Sequence, residues 1–251
     1  MKENAEKGWI DLFTSPWLPL ALTPFLPLLT LLPGGAYALP LAAPLAIYPE
    51  FVARVRRGDD RGALALGLAW AALLSLGVIV WTQLLPETAA HGIFHGEAYR
   101  QEMFGWIATG QGMENEPSRF LPQHALHLAA FLLLTWASAG YLGLALGAAL
   151  VGYMSYFVGS YAAAANHPVL GSVIAWVPWS VIRVIAFVAL GVLATRPLAV
   201  RFPPRVERRI WPMDRTTARW LALAALGIAL DLSIKTLLAP AYGRFLQPFL
   251  P

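Results

Sequence analysis

Three stretches of this chain carry no charged side chain: Leu12 to Pro49, Gly62 to Pro86 and Phe120 to Ile182. About 20 consecutive apolar residues cross a bilayer as a helix, so runs of this kind predict membrane spans. Apolar runs near 62–85, 171–195 and 217–240 predict one span each. The block 120–182 holds 63 residues and as one helix would reach about 95 Å, so it must fold back. It is read as spans near 123–142 and 146–164, a loop holding Asn166-His167-Pro168, and the 171–195 helix. Gly143 and Gly147, next to the fold-back, match the small-xxx-small spacing of close helix approach.

Residues 17–52 are apolar too, but Pro19, Pro24, Pro27, Pro33, Pro40, Pro44 and Pro49 each remove a helical donor. Pro33-Gly34-Gly35 is a turn signal, so two short kinked helices joined there are expected. The fold predicted is an all-α polytopic integral membrane bundle with seven transmembrane helices. Six is the runner-up, with residues 17–52 as one broken helix. Interrupted helices line transporter sites, and prolines are also tolerated wherever neighbouring helices satisfy the backbone.

The whole chain, 1–251, reads as a single membrane domain. Residues 1–15 form an interfacial segment, with Trp9, Leu12 and Phe13 able to share a face. Residues 196–219 hold seven Arg against Glu207 and Asp214, and 54–61 hold four Arg against Asp59 and Asp60. The positive-inside rule makes both loops cytoplasmic, which fits a cell inner membrane. The 86–122 loop, with five acids and two Arg, then lies outside. Within it Tyr99, Met103, Trp106 and Ile107 share a stripe opposite Arg100 and Gln101, predicting an amphipathic helix that lies on the outer membrane surface or caps the bundle.

Composition removes several function classes. Only 13% of residues are charged, against about 25% in soluble domains, and mean hydropathy is +0.58. The net charge of +4 comes from loops without RNA-binding motifs, so no nucleic-acid partner is implied. With no Cys, thiolate chemistry and disulfides are absent. No Walker A sequence, Gly-x-Ser-x-Gly elbow or dinucleotide fingerprint occurs, and no cofactor is indicated.

Arg183 is the one ionisable residue between Ser172 and Thr195 and falls at their midpoint. A charge at that depth faces a protein interior, a cavity or a partner. Asp231 is the one acid inside any predicted span and lies at a similar depth, so an Arg183–Asp231 pair is expected. Lys235 lies one turn from Asp231 on the same face. Its first expected fate is snorkelling to the outer headgroups. Were it buried, Arg183, Asp231 and Lys235 would total +1 and require an anion, either Glu102 or a ligand such as a lipid phosphate. Trp176 and Trp179 flank Pro178, where they either shield Arg183 by cation–π contact or simply pack.

Asp231-Leu232-Ser233-Ile234-Lys235 resembles the Schiff-base helix of retinal-binding proteins, over those five residues alone. The loop charges orient this helix the opposite way, and neither an aromatic cage nor a third-helix acid pattern accompanies it, so no retinal site is assigned. His91 and His95 (i, i+4) and His124 and His127 (i, i+3) form two pairs near loop carboxylates. Such donors suit zinc or another transition metal, although no His-Glu-x-x-His occurs. The function expected is a transport component, or a subunit of a larger membrane complex, handling a small, anionic or lipid ligand near Arg183. Its partners would be the bilayer and either further copies or other membrane subunits. The competing class is a membrane-embedded, metal-dependent enzyme using the histidines.

Overall fold

The computed structural model describes residues 17–201 and 215–250. The expected interfacial segment 1–15 and most of the 196–219 loop lie outside the described residues. The described chain is helical and without strands. Helix α1 (Trp17–Leu22) continues as a 3₁₀ stretch, Thr23–Leu31. Helix α2 (Gly35–Ala42) and a short 3₁₀ turn lead into α3 (Tyr48–Arg57). Then come α4 (Asp60–Leu84), α5 (Pro86–Gly92), α6 (Gly96–Thr109), the 3₁₀ turn Met113–Asn115 and α7 (Pro117–Ala137). Helices α8 (Tyr141–Ala164), α9 (Pro168–Ile174), α10 (Pro178–Arg201) and α11 (Arg215–Leu246) complete the bundle.

Among the described residues, five helices are long and apolar enough to cross a membrane: α4, α7, α8, α10 and α11. The segments Gly35–Ala46 and Tyr48–Arg57, bent by 44°, make a sixth if they form one span. Trp17–Leu31 is apolar but shorter. The structure therefore carries five to six candidate spans where the sequence predicts seven, and the difference lies in the proline-rich first block. There the chain does turn at Gly34, whose φ of 74° suits glycine. Prolines convert the flanking pieces into short α and 3₁₀ segments. Trp70 Nε1 meets one freed backbone group, donating to the Ala43 carbonyl at 3.2 Å, while Trp81 Nε1 holds the Thr30 side chain through Oγ1 at 3.1 Å.

Two further boundaries differ from expectation. The α7–α8 fold-back falls at Ser138-Ala139-Gly140, where Ala139 and Gly140 have φ of 51° and 99°. Gly143 is thus inside α8, against Thr135 of α7, whereas Gly147 faces open space. The predicted 171–195 helix is broken before Pro178, since the residue preceding a proline leaves the helical region. Arg183 consequently lies in the second turn of α10, about 8 Å from its start, not at the middle of a span.

Packing is organised around α8, which contacts α2, α4, α6, α7 and α9, and around the α10–α11 pair. On α11 the buried residues are Thr217, Ala224, Asp231, Lys235, Ala239, Gly243 and Leu246. Their spacings of three, four or seven make one seam facing inward. The two arginine-bearing ends meet on one face of the bundle. Arg196 of α10 pairs with Asp60 of α4 and donates to Thr217 of α11; Arg56 Nε donates to the Ala199 carbonyl at 2.8 Å. Helix α6 lies at the opposite end with Met103, Trp106 and Ile107 buried. It is tied to α8 by Tyr156, whose hydroxyl donates to Glu97 Oε2 at 3.0 Å.

Candidate functional site

Arg183 reaches across from α10 to α11 and donates through Nε and Nη2 to Asp231 Oδ2 and Oδ1, each at 2.8 Å. This two-pronged geometry is the strongest form of guanidinium–carboxylate pairing. Asp231 is 1% exposed, whereas the Arg183 side chain keeps 19%. Nη1 has no partner among the described residues. No ring stacks on Arg183 among the described residues; Trp179 instead donates its Nε1 to Glu114 Oε2 at 3.3 Å.

Lys235 does not snorkel. It is 2% exposed, and its ammonium donates to Glu114 Oε1 at 2.8 Å while lying 4.5 Å from the Phe120 ring centroid. Glu114 is thus the counter-charge of Lys235, in place of the expected Glu102 or anionic ligand. Two glycines re-aim the chain after α6, Gly110 with φ of 69° and Gly112 with φ of 150°. They drop the Met113–Asn115 turn between α7 and α11. Asn115 pins that turn by accepting from Trp106 Nε1 at 2.9 Å. Glu102 makes no ion pair among the described residues. Burial, then the neighbouring Glu114 charge, holds its carboxyl above the ordinary range. Arg183, Lys235, Asp231 and Glu114 thus form two pairs with no net charge.

A cavity of about 390 Å³ opens beside the Arg183–Asp231 pair, between α4, α7, α8, α10 and α11. Its walls are apolar for most of their length, through Leu128, Phe131, Leu150, Val184 and Phe187. Arg183, Asp231, His124, His127 and Tyr153 also line it, as do Thr135 and Thr195. Two of the three buried side-chain atoms without a hydrogen-bond partner, among the described residues, belong to this lining: His124 Nε2 and Thr135 Oγ1. His124 Nδ1 lies 2.8 Å from the Phe120 carbonyl. A carbonyl only accepts, so Nδ1 carries the hydrogen there and Nε2 offers a lone pair.

The four histidines do not come together as a metal centre. Among the described residues no group of three His, Cys, Asp or Glu is placed to hold an ion. His91 and His95 fail even to share a helix, because α5 ends at Gly92 and His95 begins α6 in left-handed backbone, φ 57°. His124 and His127 do share a face of α7, turned to the cavity. Glu114, Phe120 and the cavity were not anticipated from sequence. The one signal for Glu114 was the +1 charge total of a buried Lys235, which demanded an acid without selecting among the five in the 86–122 loop.

Among the described residues, fold and site together define an all-helical bundle with five to six membrane-length apolar helices, the Arg183–Asp231 and Lys235–Glu114 ion pairs and an apolar cavity. No family model, curated protein or solved structure matches the chain.

Proposed function

We propose that this chain is a multi-pass protein of the cell inner membrane and a transport component that takes a small lipid-soluble ligand into the cavity beside Arg183. The observation carrying the reading is the cavity itself: an apolar chamber of about 390 Å³ with a hydrogen-bonding end, inside the range of ligand sites. A second groove of about 400 Å³ runs between α4 and α10 and shares Ala71, Val151 and Val184 with it. Those three side chains are therefore a thin wall between the chamber and the lipid-facing groove, a lateral route for a bilayer-borne molecule.

Seven spans fit this reading. Nine of the 15 residues in Trp17–Leu31 are 3₁₀, which rises about 2.0 Å per residue. The segment thus extends roughly 27 Å, close to the hydrocarbon thickness of about 30 Å. Pro24 packs on Gly77, and Thr30 on Trp81 and Gly92, so the segment runs parallel to α4. The arginine-bearing face is then cytoplasmic, with the N-terminus on it and α6 outside. No nucleotide motif is present, so transport is passive or coupled to partner subunits.

The test is extraction of the protein, purified from membranes in mild detergent, followed by mass spectrometry of bound small molecules. A near-stoichiometric lipophilic compound is expected in the wild type and its loss in Gly147→Leu, which fills the chamber from open space. Equal compound content in both, or none in either, would count against the site.

A further inference from the structure

The polar atoms left open around the cavity specify what kind of head group it accepts. We propose that the chamber binds a neutral long-chain lipid with a hydroxyl head. The hydroxyl lies between Arg183 and His124, and the chain runs along Leu128 and Phe131 toward Thr135. This rests on the reading of the cavity as a ligand site and adds the ligand's chemistry.

Charge comes first. Arg183 is matched by Asp231 and Lys235 by Glu114, each at 2.8 Å. An anionic head would add an unmatched negative charge beside a buried carboxylate, and a cationic head an unmatched positive one. Either is costly where water is scarce. The expectation of a phosphate-bearing ligand depended on a +1 cluster, and Glu114 removes that surplus.

Hydrogen bonding then narrows the neutral heads. His124 Nε2 is buried and unpartnered, and with Nδ1 committed to the Phe120 carbonyl it can only accept. Arg183 can only donate. A ketone or ester carbonyl would satisfy Arg183 and leave Nε2 orphaned. A hydroxyl does both, accepting from Arg183 and donating to His124. The second unpartnered atom, Thr135 Oγ1, lies eleven residues further along α7, about 16 Å away. Between them the wall is Leu128 and Phe131 on α7, faced by Leu150 and Phe187. That distance and lining fit an extended hydrocarbon chain, whereas a compact polar solute would leave most of the chamber unfilled.

The experiment uses the full chain in lipid nanodiscs and two photoreactive probes differing only in the head: a diazirine-bearing long-chain primary alcohol and the matching carboxylic acid. The alcohol is expected to label the wild type at least tenfold more than the carboxylate at neutral pH, one buried hydrogen bond being worth about tenfold and the unmatched charge adding to it. His124→Phe should reduce that preference to the part that charge alone supplies, and Gly147→Leu should remove labelling by both probes. Equal or better labelling by the acid in the wild type overturns the hydroxyl assignment while the cavity stands as a site. That comparison needs no variant to fold. Undiminished labelling of Gly147→Leu by both probes overturns the cavity as the ligand site, and the head-group assignment with it.

Discussion

Glu114 holds its place by three contacts of different kinds: the Lys235 ammonium, the Trp179 indole N–H, and the turn that Asn115 fastens to Trp106. Replacing it by Gln keeps the shape and deletes the charge. Lys235, 2% exposed, would then be a buried cation without a counter-ion, which costs about 3–5 kcal/mol. Glu114→Gln should therefore lower the unfolding midpoint in detergent markedly, and Glu114→Gln combined with Lys235→Met should recover most of the loss. The same logic governs Arg183→Leu and Asp231→Leu. Each alone is strongly destabilising, and the double change is near neutral because both charges leave together. A double variant that folds yet no longer retains the small molecule separates the pair's structural part from its part in binding. Glu97 behaves differently because it is half exposed. Hydrogen bonds from Arg100, opposed by burial and joined by Gln101 and Tyr156, lower its pKa from 4.5 to about 2. Its tie to Tyr156 is complete above pH 4.5 and lost as pH falls toward 2. Amide exchange in α6 should accelerate over that window in the wild type, and Glu97→Gln should remove the dependence.

At the scale of an element, α8 offers a direct test within one turn. Gly143 and Gly147 lie on neighbouring turns, yet a methyl at 143 would run into the Thr135 side chain, while one at 147 meets nothing within 4 Å. Gly143→Ala should destabilise by roughly 1–3 kcal/mol through overpacking. Gly147→Ala should stabilise by about 1 kcal/mol through helix propensity; thermal unfolding of the two variants checks both. This contrast also shows where sequence reading stops. The GxxxG spacing marked a close approach at the α7–α8 corner, but only packing tells which glycine faces the partner and which faces a void. The Arg183–Asp231 pair was legible because a charge inside an apolar run has few ways to be satisfied, and one acid lay at its depth. The break before Pro178 was written in the proline but masked by an unbroken apolar run. Glu114 was hidden for another reason: a 3₁₀ turn of three residues has no periodicity, and its aim is set by the backbone at Gly110 and Gly112.

For the whole molecule, the course of Trp17–Leu31 through the bilayer decides where the N-terminus lies. If it crosses, seven spans place the two ends of the chain on opposite sides; if it only dips in, six spans place them together. The 3₁₀ rise and the parallel course beside α4 favour crossing. Reporters fused to each end in turn should accordingly give opposite readings, the N-terminal one cytoplasmic and the C-terminal one outside. Single cysteines on this Cys-free chain calibrate the result. Glu114 is unsuitable for this purpose because it is buried. Gln111 and Arg61 are exposed and lie at opposite ends of the bundle. Gln111→Cys should react with an impermeant maleimide in intact cells, and Arg61→Cys only after permeabilisation. Reversal of both cysteines would invert the positive-inside assignment and move the Arg183 end of the cavity to the cytoplasmic leaflet. Two end reporters on the same side, with the cysteines as expected, would instead leave six spans, with Trp17–Leu31 only dipping into the bilayer beside α4 while 35–57 still crosses, and the chamber and its polar end unchanged.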